Sequence, residues 1–151
     1  MIDLRPATIA DADNLFAWRN DPVTCANSRS TAAVPREEHD RWMQFNVAKG
    51  YPGHMVMMAG SVHGSVGVVR FDASARDLMT YDVSITIAPG HRCKGLAQPV
   101  LSEACSYMPD FALTAEIRHD NIASRKIFER CGFDKIGRDA GFLQYRKEPL
   151  T

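Results

Sequence analysis

Tyr81-Asp82-Val83-Ser84-Ile85-Thr86-Ile87-Ala88-Pro89-Gly90-His91-Arg92-Cys93-Lys94-Gly95-Leu96-Ala97 is the stretch on which the reading of this chain turns. Val83, Ile85 and Ile87 alternate with Asp82, Ser84 and Thr86, and β-branched residues at a period of two predict a half-buried strand. Ala88-Pro89-Gly90 stops it, and the short basic run Arg92-Cys93-Lys94-Gly95 leads into Leu96 to Met108, which is apolar at helical spacing. A strand, a tight glycine turn and a helix in that order aim unpaired N–H groups and the positive end of the helix dipole at one point, which suits a phosphate. The spacing matches neither the P-loop nor the dinucleotide fingerprint. By itself it also suits an ordinary strand-to-helix turn with solvated Arg92 and Lys94.

A second motif lies farther along. Leu113 to Ile117 reads as a strand, and Asn121 then suits the N-cap of a helix through Ile122 to Cys131 that Gly132 ends. Arg92, Gly95 and Ala97 after the first strand, followed by Asn121, Ser124, Gly132 and Phe133 after the second, resemble the two signature motifs of the GNAT superfamily of acyl-CoA-dependent N-acetyltransferases. One position departs from that pattern, because Phe128 stands where the family carries tyrosine. The resemblance runs from Ile2 to about Tyr145, and in its amino-terminal part it is nearest to enzymes that acetylate nucleotide-linked amino sugars.

The 151 residues predict one domain, 1–151, and 18 basic against 18 acidic residues leave no net charge. That balance argues against broad attraction to nucleic acid or to a membrane surface. Cys25, Cys93, Cys105 and Cys131 form no Cys-x-x-Cys pair and accompany no paired-histidine spacing, so neither a disulfide framework nor a metal site is expected, and reduced thiols point to the cytoplasm. Asp3 and Arg5 interrupt any apolar run near Met1, which predicts no targeting segment. Residues 50–69 lack charged side chains, but their glycines and alternating apolar residues suit a hairpin better than a membrane helix.

In chain order, Ile2 to Pro6 predicts a strand, and Thr8 or Asp11 caps a helix with a Leu15, Phe16 and Trp18 stripe that ends at Asn20-Asp21-Pro22. Val23 to Val34 reads as a loop with room for a short helix. Pro35 at a first helical position opens a helix to about Lys49 whose apolar side is Trp42, Phe45 and Val47. His54 to Ala59 and Ser65 to Phe71 predict paired strands, in which Met55, Met57 and Met58 pack the core. Leu78 to Ile87, the helix Leu96 to Met108, Leu113 to Ile117, the helix Ile122 to Cys131, and strands Asp134 to Gly137 and Phe142 to Arg146 follow. The order is that of an α/β three-layer sandwich on a mixed sheet, which is also the order of the GNAT fold.

The resemblance implies that the two central parallel strands splay apart where one bulges, and that acetyl-CoA enters the gap. Ile85 and Ile87 would then bond the pantetheine arm through their backbone, and an N–H near Ile85 or Thr86 would meet the oxyanion. The N–H groups of Cys93, Lys94, Gly95, Leu96 and Ala97 would hold the pyrophosphate, with charge from Arg92 and Lys94. Asn121, Ser124 and Phe128 would flank the pantetheine arm, and Arg125 or Lys126 would either reach the 3′-phosphate or lie solvated on the helix face. Glu116 is the first candidate for the base that neutralises the amine, the alternative being a partner for an arginine on the sheet surface. Asp82 is the second and His91 the third. With Phe128 in place of tyrosine, Tyr81, Tyr107, Tyr145 or water would protonate the leaving thiolate. Trp18, Arg19 and Asn20 would contact the acceptor. The expected partner is a small-molecule amine, with no nucleic acid or membrane, and the protein a monomer or homodimer. A ribosomal-protein-type N-terminal acetyltransferase and a non-catalytic acyl-CoA-binding domain are the alternatives.

Overall fold

The alternating segments become seven strands: β1 (Asp3–Pro6), β2 (His54–Ser61), β3 (Gly64–Ala73), β4 (Thr80–Ile87), β5 (Ala112–Arg118), β6 (Asp134–Asp139) and β7 (Phe142–Lys147). The helices are α1 (Ala12–Arg19), α2 (Pro22–Asn27), α3 (Arg36–Met43), α4 (Ala97–Tyr107) and α5 (Ile122–Arg130). The computed structural model describes residues 1–48 and 53–151, so the expected helix end at Lys49 lies outside the described residues. The strands form one sheet in the order β1-β2-β3-β4-β5-β7-β6, with β4 and β5 parallel and every other neighbouring pair antiparallel.

Alternation along the strands divides the core between the two faces. Val69, Phe71, Val83, Leu113, Ala115, Ile117 and Tyr145 pack against Val100, Leu101, Ala104 and Cys105 of α4 and Phe128 of α5. Val56, Met58 and Val68 pack on the other face against Leu15 and Trp18 of α1 and Met43 of α3. Val100 and Leu101 are fully buried, and burial of such a side chain contributes about 1.5–3 kcal/mol. Met57 and Met58 are core residues, as their strand spacing predicts. The result is the predicted three-layer α/β sandwich, but α1 and α3 cover only the β2 and β3 half of their face.

Local chemistry explains the helix ends. Asp21 caps α2, its Oδ2 accepting from Val23 N–H at 3.1 Å and Thr24 N–H at 3.3 Å, which turns the expected loop into a short helix before residue 28. Thr8 N–H donates to Asp11 Oδ2 at 2.9 Å, and a single 3₁₀ turn, Ile9–Asp11, precedes α1. Two details differ from the sequence reading of the third helix. Pro35 is the cap and not the first helical residue, because its ψ of 150° is extended while its carbonyl accepts from His39 N–H at 3.0 Å. Past Met43 the helix widens into a π turn, Gln44–Ala48; Trp42 and Val47 pack partly buried on the core as expected, Phe45 is exposed, and His39 and Met43 are buried on the α-helical part.

β4 and β5 pair only at Thr80 with Ala112, Tyr81 with Leu113 and Asp82 with Thr114. Beyond that point β4 continues to Ile87 and β5 to Arg118 without pairing, so the two parallel strands part as expected. The expected bulge is absent from both: β4 holds β3 in unbroken register from Tyr81 to Ile87, and β5 holds β7 from Leu113 to Arg118. The fork therefore comes from strand divergence alone, each strand being held straight by its antiparallel partner.

Candidate active site at the fork of β4 and β5

The basic turn sits where β4 ends. After the 3₁₀ turn Pro89–His91, the backbone enters the left-handed region at Cys93 (φ 61°) and Gly95 (φ 71°), and α4 begins at Ala97. Left-handed φ at a non-glycine residue is uncommon, and backbone that alternates in hand gathers successive N–H groups on one side. Among the described residues no backbone carbonyl accepts from the N–H groups of Cys93, Lys94, Gly95, Leu96 or Ala97. A Cβ placed on Gly95 would meet nothing within 4 Å, and Cys93, Lys94 and Gly95 are exposed beside the positive end of the α4 dipole. Donors without partners in an exposed turn fit a diphosphate. Lys94 is exposed in the turn, whereas Arg92 faces away: its Nη1 lies 2.8 Å from Asp21 Oδ2 and its Nη2 donates to Thr24 Oγ1 at 3.0 Å. Arg92 thus fastens the turn to the start of α2, and Asp21 already neutralises its charge.

Asp82 and Thr114 are the last pair before the fork, and Thr114 Oγ1 donates to Asp82 Oδ1 at 3.1 Å. Together with Ala115, Glu116, Ile136, Gln144 and Tyr145 they line a cavity of about 330 Å³. Burial raises the Asp82 carboxyl to about 6, against the restraining bond from Thr114, and the nearby charges of Asp72 and Glu116 add to the rise. A carboxylate poised near 6 in a cavity at the fork has the properties of a general base.

Glu116, the first candidate in the sequence, has the opposite electrostatics. Arg29 Nε donates to its Oε1 at 2.7 Å and Arg29 Nη2 donates to its Oε2. This two-point hydrogen bond holds Glu116 below the usual carboxylate range, so it is the weaker base of the two. The alternative weighed for it, a partner for an arginine on the sheet surface, describes its state here. Arg29 Nη2 also donates to Asp139 Oδ2 at 3.2 Å, and its guanidinium lies 4.5 Å from the centroid of the Phe142 ring. Sequence reasoning missed Arg29, since only folding carries the residue 28–35 loop across β5 and β7.

The other anticipated residues divide by what they touch. Asn121 caps α5, its Oδ1 accepting from Ser124 N–H at 3.3 Å. Phe128 is buried edge-on against Phe133, with centroids 4.9 Å apart, so it belongs to the core. Arg125 turns back so that its Nη1 donates to the His119 carbonyl at 2.8 Å, while Lys126 is exposed on the helix face. Of the described tyrosines, only Tyr145 lines the cavity; its hydroxyl donates to Glu129 Oε2 at 2.7 Å. Tyr81 packs edge-on against Phe111, and Tyr107 stacks on Phe71. His91 lies in the 3₁₀ turn before the basic loop, away from the residues that line the cavity. Trp18 is buried in the core, Arg19 Nη2 donates to the Ser30 carbonyl at 3.3 Å, and Asn20 exchanges bonds of 3.0 and 2.6 Å with the Val34 backbone. Arg19 and Asn20 thus bond to the loop that carries Arg29. Among the described residues, no group of three or more His, Cys, Asp or Glu is placed to hold a metal ion, and no helix is long and apolar enough to cross a membrane.

Residues 2–134 match the family model described as the acetyltransferase (GNAT) domain. A comparison with curated proteins gave no match. Solved structures share the fold at low identity. The spermidine N-acetyltransferase from Vibrio cholerae in complex with CoA and spermine is 15% identical with a TM-score of 0.82, over 96% of this chain and 92% of that one. The ribosomal-protein-alanine N-acetyltransferase from Brucella melitensis is 21% identical with a TM-score of 0.77, over 97% and 99%. The aminoglycoside acetyltransferase AAC(6')-Ib in complex with coenzyme A is 12% identical with a TM-score of 0.83, over 98% and 95%.

Proposed function

The chain belongs to the GNAT acetyltransferase family and is an acetyl-CoA-dependent N-acetyltransferase, and from that premise we propose that residues 1–151 form one catalytic domain that acetylates a primary amine on a nucleotide-linked amino sugar, with Asp82 as the base. The observation that carries this reading is the half-buried Asp82, held by Thr114 at the last β4–β5 pair and raised to about 6. At neutral pH such a group is ionised, yet it is basic enough to take a proton from an ammonium of lowered pKa, directly or through one water.

Acetyl-CoA supplies the acyl group as a thioester. The unpaired edge of β4 from Val83 to Ile87 offers its backbone, that of Ile85 and Ile87 included, to the pantetheine amides. The N–H groups of residues 93–97, with Lys94, receive the diphosphate, and the carboxamide N–H groups of Asn121 face the same arm. With the proton on Asp82, the neutral nitrogen attacks the thioester carbon. The β4 N–H of Ile85, which lies on the edge turned away from β3, stabilises the oxyanion, and the C–S bond breaks to release CoA thiolate. A thiol of ordinary pKa about 8.5 leaves without full protonation, so Phe128 in place of tyrosine is compatible with turnover, and the surplus proton of the acylated nitrogen passes through water to the thiolate.

One feature supports the nucleotide-linked acceptor: Trp18 to Pro22, Ser28, Thr31, Glu38-His39 and Trp42 resemble the amino-terminal pattern of enzymes with such substrates. A peptide α-amine, of ordinary pKa about 7.7–8.0, is the second reading, because a base poised like Asp82 serves it equally. The test is release of free CoA thiol from acetyl-CoA with UDP-amino sugars, polyamines and amino-terminal peptides as acceptors. Turnover with the sugars is the expected result; turnover confined to peptides or polyamines overturns the acceptor assignment.

A further inference from the structure

Strand register lines up one polar residue from each of six strands. His54 on β2 pairs with Asp72 on β3, Asp72 with Asp82 on β4, Asp82 with Thr114 on β5, Thr114 with Arg146 on β7, and Arg146 with Asp134 on β6. Directly opposed residues share a face of the sheet, with Cβ atoms about 4.5–5.5 Å apart. From Asp82 onward this row crosses the half of the sheet that α1 and α3 leave uncovered, and Asp82 sits at the boundary next to Asp72. Two acids directly opposed across antiparallel strands repel each other, so their juxtaposition needs compensation. It is built on the outer side of Asp72. His54 Nδ1 lies 2.6 Å from Asp72 Oδ1, and Arg70 Nη2 donates to Asp72 Oδ2 at 3.1 Å. Arg70 itself lies against the Trp42 ring, 5.3 Å from its centroid.

We propose that Asp72 is a positioning residue for the acetyl transfer: held in place by His54 and Arg70, it acts across the β3–β4 ladder to favour the protonated form of Asp82. The inference rests on the reading of Asp82 as the base. The groups facing Asp82 are Asp72 and Arg70 from β3, and Thr114 and Glu116 from β5, with Glu116 offset by Arg29. Burial is the largest influence on Asp82. Thr114 and Arg70 favour its charged form, while Asp72 and Glu116 disfavour it. Asp72 is the like charge directly opposed to Asp82 in the strand register, so its substitution tests that pairing. Removing it also releases Arg70 to act on Asp82, so both consequences have the same sign.

The experiment is a carboxyl ¹³C titration of the full chain labelled at aspartate, with the Asp82 resonance assigned from Asp82→Asn. The unmutated protein should titrate at this site near pH 6. Asp72→Asn should lower that midpoint by about 0.5–1 pH unit, from a like charge one strand away in a half-solvated site. Arg70→Met should raise it. Opposite shifts from two residues two positions apart on one strand are a signature that a merely packing role would not produce. Unchanged midpoints, or shifts of one sign in both variants, overturn the proposal. The base reading fails separately: full turnover by Asp82→Asn removes Asp82 from catalysis whatever its titration shows.

Discussion

Gly95→Ala separates the phosphate-turn assignment from ordinary stability. Gly95 has φ 71°, and a residue with a Cβ there costs about 1–2 kcal/mol. On a domain of this size that is a fall of about 2–4 °C in Tm per kcal/mol. The new methyl would stand in open space in the free protein, with nothing within 4 Å, so no clash adds to the backbone cost. With a diphosphate drawn to the same N–H groups, the methyl obstructs the closest approach. Losing one charge-assisted hydrogen bond costs about 1.5–3 kcal/mol, or about 10–100-fold in Kd. Calorimetric titration with acetyl-CoA should show that loss, whereas kcat/KM with S-acetylpantetheine, which lacks the diphosphate, should hold. If Gly95→Ala binds acetyl-CoA as the unmutated protein does, or weakens both donors alike, the diphosphate lies elsewhere and the reasoning is refuted.

Asp82→Asn should lower kcat about 10²–10⁴-fold, and the unmutated activity should fall as pH drops through about 6, which a pH–rate profile measures. Its stability should move the other way: the folded value of about 6 lies above the ordinary 3.8, so the charged form strains the fold, and Asp82→Asn should be the more stable protein above pH 6, an advantage that shrinks to nothing below 3.8 in chemical denaturation. Glu116 has the reverse linkage, since Arg29 lowers it from 4.5. The stability that Arg29 confers should be fully present above 4.5 and fade at lower pH, so the Tm difference between the unmutated protein and Arg29→Met should narrow on acidification. Leu101→Ala, at a fully buried position of α4, should cost about 2–5 kcal/mol in urea unfolding.

Much of the fold is legible along the chain because its signals are local. Alternating β-branched residues in Tyr81 to Ile87 and a helical apolar period in Leu96 to Met108 each state their structure within one segment. Asn121 capping α5 and Gly132 at φ 93° after its end were also readable, since both roles depend on neighbours a few residues away. The third helix misleads because a π turn is not encoded by any single residue. Phe45, inside that turn, is exposed, while Met43, on the α-helical turn before it, is buried.

The site was legible as a list of residues and not as an arrangement. The sequence alone placed a phosphate-type turn between a strand and a helix, and it put Glu116 and Asp82 on strands beside the gap, because those facts follow from short-range periodicity and turn chemistry. Only the tertiary structure ranked the two acids. Arg29, 87 positions from Glu116, neutralises it by ion pairing, whereas burial and the opposed Asp72 leave Asp82 the stronger base. Charge interactions act through space and solvent exclusion, and both are set by strand register and loop path, which no local pattern records.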